Sequence, residues 1–103
     1  MTDKERVMEV FPDAELVPFD FGDRDCGLVQ VGYRRPDGET ETICVAIGPV
    51  RDLWGLARRA AEETVRLGTV VQFDQRTNGR VVRAEFPERP WPPPTTGRLR
   101  SAR

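Results

Sequence analysis

Between residues 27 and 47 apolar and polar side chains alternate in two runs, separated by Arg35-Pro36-Asp37-Gly38-Glu39. Period-two alternation on both sides of a Pro-Asp-Gly turn predicts a β-hairpin. Pro sits at the first central position, and Gly is free to take the left-handed conformation that closes a three-residue loop. With Arg35 opposite Glu39, the register pairs Tyr33 with Glu41, Val31 with Ile43, Val29 with Val45 and Gly27 with Ile47. One face then reads Val29, Val31, Tyr33, Ile43, Val45 and Ile47. The other reads Leu28, Gln30, Gly32, Arg34, Thr40, Thr42, Cys44 and Ala46.

The period then changes to that of a helix. From about Pro49 to Leu67, the residues Val50, Leu53, Trp54, Leu56, Ala57, Ala60, Ala61, Thr64, Val65 and Leu67 fall on one half of a helical wheel. Gly48-Pro49 suits the entry and Gly68 the stop. The alanines suit close approach to a sheet, and Glu62 with Arg66 predicts a pair four residues apart. Beyond the helix, Asn78-Gly79 predicts a second hairpin with a two-residue turn. That turn pairs Gln75 with Val82, Phe73 with Ala84 and Val71 with Phe86 on an apolar face. It sets Asp74 opposite Arg83 and Gln72 opposite Glu85 on a polar one. Upstream, Val17, Phe19 and Phe21 alternate in a strand whose Pro18 confines it to a sheet edge. Residues 3–10 predict a short helix with Asp3 as its cap, ended by Pro12.

The predicted fold is therefore α+β: a single antiparallel sheet of about five strands in chain order β-β-β-α-β-β, with one amphipathic helix on one face. Residues 1–88 form the compact domain, with 1–12 as a weakly helical arm, and 89–103 a Pro-rich, then basic, extended or disordered tail. The helix covers one face only. The other, with Leu28, Cys44 and Ala46, calls for cover from the N-terminal segment or a second subunit.

Composition narrows the class. The 103 residues are 38% hydrophobic and 32% charged, which is ordinary for one globular domain. No stretch approaches the roughly 20 apolar residues of a membrane span, and the polar N-terminus predicts retention in the cytoplasm. There are 15 Arg and one Lys, the bias of a GC-rich bacterial coding sequence, but the net charge is −1 and no global basic field exists to attract nucleic acid. Charge is divided along the chain: residues 1–50 carry 11 acidic and 5 basic side chains, residues 51–103 carry 6 and 11. Such a division fits internal pairing or complementary surfaces between subunits.

Chemistry is constrained by what is missing. Histidine is absent and Ser101 is the single serine, so Ser-His and Cys-His catalysis and most zinc sites are excluded. Cys26 and Cys44 share a face but stand about four residues apart, roughly 13 Å, beyond the roughly 7 Å limit for a disulfide. They are expected to be structural thiols. Asp20, Asp23 and Asp25 are weak metal-ligand candidates, because Arg24 interrupts them and no closing Glu follows; no metal and no cofactor is expected. Gly32 lies mid-strand, where a missing side chain marks a bulge or a close neighbour. It shares a mixed surface with Gln30, Arg34 and Thr42, the candidate partner-binding residues together with Trp91 and Pro93 of the tail.

These features point first to a non-enzymatic protein-binding or accessory module, acting on another protein or a second copy of itself through the second sheet face and the tail. The alternative is a small cofactor-dependent or ligand-shaping enzyme of isomerase, cyclase or oxygenase type. That requires a cavity between helix and sheet into which Tyr33, Cys44, Asp74 and Arg83 converge. A third reading, nucleic-acid binding through Arg34-Arg35 and Arg58-Arg59, lacks interleaved aromatics.

Overall fold

The computed structural model describes residues 1–22, 24–34, 38–76 and 80–90; for Phe21, Arg24, Tyr33, Arg34 and residues 85–90 it describes the backbone alone. The elements are α1 (Asp3–Val10), β1 (Glu15–Phe21), β2 (Arg24–Arg34), β3 (Thr40–Pro49), a 3-10 turn (Val50–Asp52), α2 (Leu53–Leu67), β4 (Thr69–Asp74) and β5 (Val82–Pro90). They build one five-stranded sheet in the order β1-β2-β3-β4-β5. None of the described helices is long and apolar enough to cross a membrane.

The α+β class holds, but the sheet is mixed. β3 and β4 are neighbours and run parallel, with Ala46 level with Phe73 and Ile47 level with Asp74. The reason is the connection. A helix that carries the chain back along the sheet returns the next strand in the same direction, whereas an antiparallel neighbour needs only a tight turn. A purely antiparallel sheet is therefore incompatible with α2 between adjacent strands.

The first hairpin keeps its predicted register from Tyr33↔Glu41 through Val31↔Ile43, then slips at a bulge. Gln30 faces Cys44 and Val29 faces Ala46, so Val45 has no residue opposite it. The extra residue turns Ala46 to the helix side with Val29 and sends Ile47 to the other face with Leu28, the reverse of the strict alternation. Val45 and Ala46 are both fully buried as a result.

Alpha2 starts after the 3-10 turn and ends where expected, with Gly68 at φ 76° donating its N–H to the Thr64 carbonyl. It buries Leu53, Leu56, Ala57, Ala60, Ala61 and Thr64. Two glycines form its seat. Gly27 and Gly48 face each other across β2 and β3. A Cβ on Gly27 would stand 2.9 Å from Leu53 Cδ1; one on Gly48 would crowd Gln75 Cβ at 3.2 Å and make an ordinary contact with Leu56 Cδ2 at 3.6 Å. Their bare backbone lets the first turn of α2 lie against the sheet. At the other end, the Thr64 hydroxyl accepts the Val71 N–H at 3.1 Å. The pairing with β5 slips at this point of β4, between Thr69 and Val71.

The N-terminal segment is a docked helix. Thr2, rather than Asp3, caps α1, in a reciprocal capping box with Glu5. Val7 and Phe11 are fully buried in the same core cluster as Val29, Leu53 and Leu56. Arg58 Nε lies 3.2 Å from Asp3 Oδ1, and the Lys4 ammonium sits 5.6 Å from the Trp54 ring centroid. Both helices thus occupy one side of the sheet, and the N-terminal segment does not cover the other. The predicted Glu62–Arg66 pair is replaced by Arg66 with Glu63 and Arg58 with Glu62.

Candidate functional site

Cross-strand pairing defines a continuous row on the face turned away from the helices: Val17, Leu28, Ile47, Asp74 and Val82, one residue from each strand. Beside it run Glu15, Gln30 and Cys44, then Gln72 with Ala84. Side-chain contacts agree with this placement. Gln30 Nε2 donates to Glu15 Oε1 at 3.5 Å, and Gln72 Nε2 donates to the Cys44 carbonyl at 3.3 Å. One end of the face is therefore apolar, built from Val17, Leu28 and Ile47. The other is polar and closed by an ion pair.

That ion pair is Asp74 with Arg76. The Asp74 carboxylate accepts the Arg76 backbone N–H at 3.0 Å, and the guanidinium donates to both carboxylate oxygens, the shortest contact being 2.6 Å. Burial works to raise the Asp74 carboxyl, but the Arg76 hydrogen bonds and charge overcome it and hold it below the ordinary carboxylate range. Arg76, and not the cross-strand Arg83 that the turn predicts, is thus the ion-pair partner of Asp74. A local signal for it existed: Asp followed two residues later by a backbone N–H is the spacing of an Asx turn.

The predicted Asp74–Arg83 pairing does not form, because the second hairpin is one residue out of the expected register. Asp74 faces Val82, Phe73 faces Arg83, Gln72 faces Ala84 and Val71 faces Glu85. The Gln75 N–H is held by the Ile47 carbonyl at 2.7 Å and Arg76 by Asp74, so β4 is committed to β3 and to its own turn before the hairpin closes. The Asn78-Gly79 turn itself lies outside the described residues. A one-residue slip exchanges the faces of a strand. Arg83 moves to the helix side, 3.5 Å from Glu63 Oε1, and Val82 and Ala84 move to the open side.

The enzyme candidates therefore do not converge. Cys44 and Asp74 lie on the outer face and Arg83 on the helix side, while Tyr33 is placed only by its backbone pairing with Glu41. Burial pushes the Cys44 thiol up, against weaker opposition from Gln72, which makes it a poor nucleophile. Both cysteines are free thiols. Between α2 and the sheet, Leu53, Ala57 and Ala60 meet Val29, Val45 and Val71, all fully buried. Among the described residues, hollows lie elsewhere, one of about 390 Å³ beside Pro18, Asp20, Asp25 and Val50 and another of about 250 Å³ between α1 and α2.

Among the partner-binding candidates, Gln30 is on the outer face and Thr42 is exposed opposite Gly32. The close neighbour of Gly32 is Asp13 of the same chain, whose Oδ2 accepts the Gly32 N–H at 2.9 Å. A side chain on Gly32 would collide with that carboxylate. Arg34 is placed by its pairing with Thr40 alone, and Trp91 and Pro93 lie outside the described residues. Asp20 and Asp25 face each other across β1 and β2, both exposed, and Asp23 is outside the described residues. Among the described residues, no three potential metal ligands stand together. Of the basic pair on α2, Arg58 is engaged by Asp3 and Glu62, and Arg59 lies over the Phe73 ring at 5.1 Å. No protein-family profile, curated protein or solved structure matches this chain.

Proposed function

We propose that this chain is a non-enzymatic protein-binding module whose recognition surface is the sheet face turned away from the helices, with the Pro-rich segment that follows β5 as its second element. The observation that carries the reading is the row Val17, Leu28 and Ile47, three cross-strand apolar neighbours on a face that neither described helix crosses. An apolar strip in which half-buried Val17 and Leu28 flank the buried Ile47, bordered by hydrogen-bonding side chains and a fixed ion pair, has the make-up of a protein contact: an apolar centre that supplies affinity and a polar rim that supplies orientation. The separation of Cys44 and Asp74 from Arg83, and the raised Cys44 thiol, speak against chemistry at this surface.

The test is affinity capture from an extract of the source organism with the full chain as bait. A stoichiometric partner should be retained, and Leu28→Glu should lower its recovery at least about ten-fold, because a charge in an apolar contact costs upwards of roughly 1.4 kcal/mol. Undiminished recovery with Leu28→Glu overturns the assignment to this face. Truncation after Pro90 measures the contribution of the Pro-rich segment separately.

A further inference from the structure

Strands β1 and β5 are the two edges of the sheet, and the two edges are guarded differently. β1 carries Pro18 near its centre, which has no amide hydrogen to offer a neighbouring strand. β5 keeps its prolines, Pro87 and Pro90, to its second half, so residues 82–86 form an unbroken run of amides. Among the described residues β5 pairs with β4 alone, and Val81 and Val82 at its start are 40% and 50% exposed. Such an edge is a template for another strand unless something covers it.

The order of side chains selects which strand. Outward from Ala84 the run reads Arg83 and Glu85, then Val82 and Phe86. A two-fold axis through Ala84 would set Arg83 opposite Glu85 of a second copy, and Val82 opposite Phe86 of that copy, each pair occurring twice. Opposite charges face each other and apolar residues face each other throughout. A slip of one residue in either direction would set Arg83 against Ala84 or Phe86, and parallel pairing in register would set Arg83 against Arg83 and Glu85 against Glu85, which is repulsive. Arg83 already reaches Glu63 on α2.

We propose that β5 is a homodimerisation edge: it pairs antiparallel with β5 of a second copy about Ala84 and joins the two sheets into one. This surface is the strand edge, distinct from the open face assigned above, and Leu28→Glu should leave the self-association unchanged, so the two readings fail separately.

Sedimentation equilibrium of the full chain, from about 1 to about 200 µM, should show a mass rising from 11.7 kDa towards twice that value. Arg83→Glu and Glu85→Arg should each weaken self-association at least about ten-fold, because each sets like charges opposite one another twice. The double variant with the two charges exchanged should restore it. An equimolar mixture of the two single variants should form a heterodimer, because the acidic strand of Arg83→Glu then meets the basic strand of Glu85→Arg and both cross-strand pairs join opposite charges. Restoration in the exchanged variant also separates the dimer contact from the intrachain Arg83–Glu63 contact, which the exchange does not repair. A mass that stays monomeric throughout, including for a chain whose β5 is found paired with a strand of another protein, overturns the proposal. So does self-association indifferent to single charge reversal, or a mixture of the two variants that stays monomeric.

Discussion

Two rows of residues cross the same five strands one position apart, and they meet different fates. Leu16, Val29, Ala46, Phe73 and Arg83 face the helices; Val17, Leu28, Ile47, Asp74 and Val82 face away. The first three of each row are apolar. On β2 and β3 the helix side holds Val29 and Ala46 fully buried, while on the open side Leu28 is half-buried and Ile47 is 9% exposed; on β1 Leu16 and Val17 are both half-buried, and Val82 of β5 is exposed. Residue type does not separate the two rows on β1 and β2. What separates them is the presence of α2 and α1 over one and of neither over the other, so the energetic weight of a valine or leucine here is set by its partner layer.

That contrast is sharpest in the cost of truncation. Leu53→Ala, at the point where α2 meets the Gly27–Gly48 seat, should destabilise by about 2–5 kcal/mol in urea denaturation, whereas Leu28→Ala on the open face should cost about 1 kcal/mol or less. Equal losses would mean that the open face is as tightly covered as the closed one. Next in size is Gly27→Ala. Its new methyl would lie 2.9 Å from Leu53 Cδ1 and 3.1 Å from the Val17 carbonyl oxygen, so a loss of about 1–3 kcal/mol is expected. A neutral result would show that the helix is not seated on bare backbone.

Asp74→Asn on the open face should cost less, about 0.5–1 kcal/mol near neutral pH, because the pair is only partly shielded from water. Its pH dependence has a definite sign. The carboxyl is held below its ordinary value in the folded chain, so its contribution is complete above the ordinary carboxylate range and disappears as pH falls through the lower folded value. The wild-type chain should therefore lose more stability on acidification than Asp74→Asn, and coincident acid limbs would remove the ion pair from the account. The smallest effect is chemical. Alkylation at neutral pH should be slower at Cys44 than at a free thiol, since burial raises it, and slower again at the buried Cys26. Fast labelling at Cys44 would show that its part of the open face is looser than its burial implies.

Much of the architecture was legible along the chain. The end of α2 follows from a helical period closed by Gly68, whereas its start lies at Leu53 instead of about Pro49, because Pro49 still belongs to β3 and Val50–Asp52 form a 3-10 turn; the first half of the β2–β3 register follows from Pro36-Asp37-Gly38 agreeing with the alternation around it. The separation of Cys26 from Cys44 follows from that register, since both stay on one face and neither is bridged. The candidate site was legible only in part. That a sheet face lies open follows from having too few helices, but its apolar row does not. Ile47 joins Leu28 only because the bulge at Val45 reverses the alternation, and a bulge of this kind answers to the packing of α2, not to a local residue signal.

What the sequence determined by itself is the set of segments that have a local cause: a helix with a left-handed stop, two strands paired antiparallel on either side of residues 35–37, which lie outside the described residues, an edge strand marked by Pro18, and a short N-terminal helix. Each rests on backbone preferences or side-chain periods that act within a few residues. Tertiary structure decided how those segments meet. The direction of β4 follows from the return of α2 across the sheet, and the side on which α1 docks follows from where Val7 and Phe11 find a core. The register of β5 follows from β4 spending its last backbone donors on Ile47 and on its own Asp74–Arg76 turn before the hairpin closes. These are long-range constraints, satisfied jointly by residues far apart in the chain, and they fix which of two equally apolar rows the helices cover.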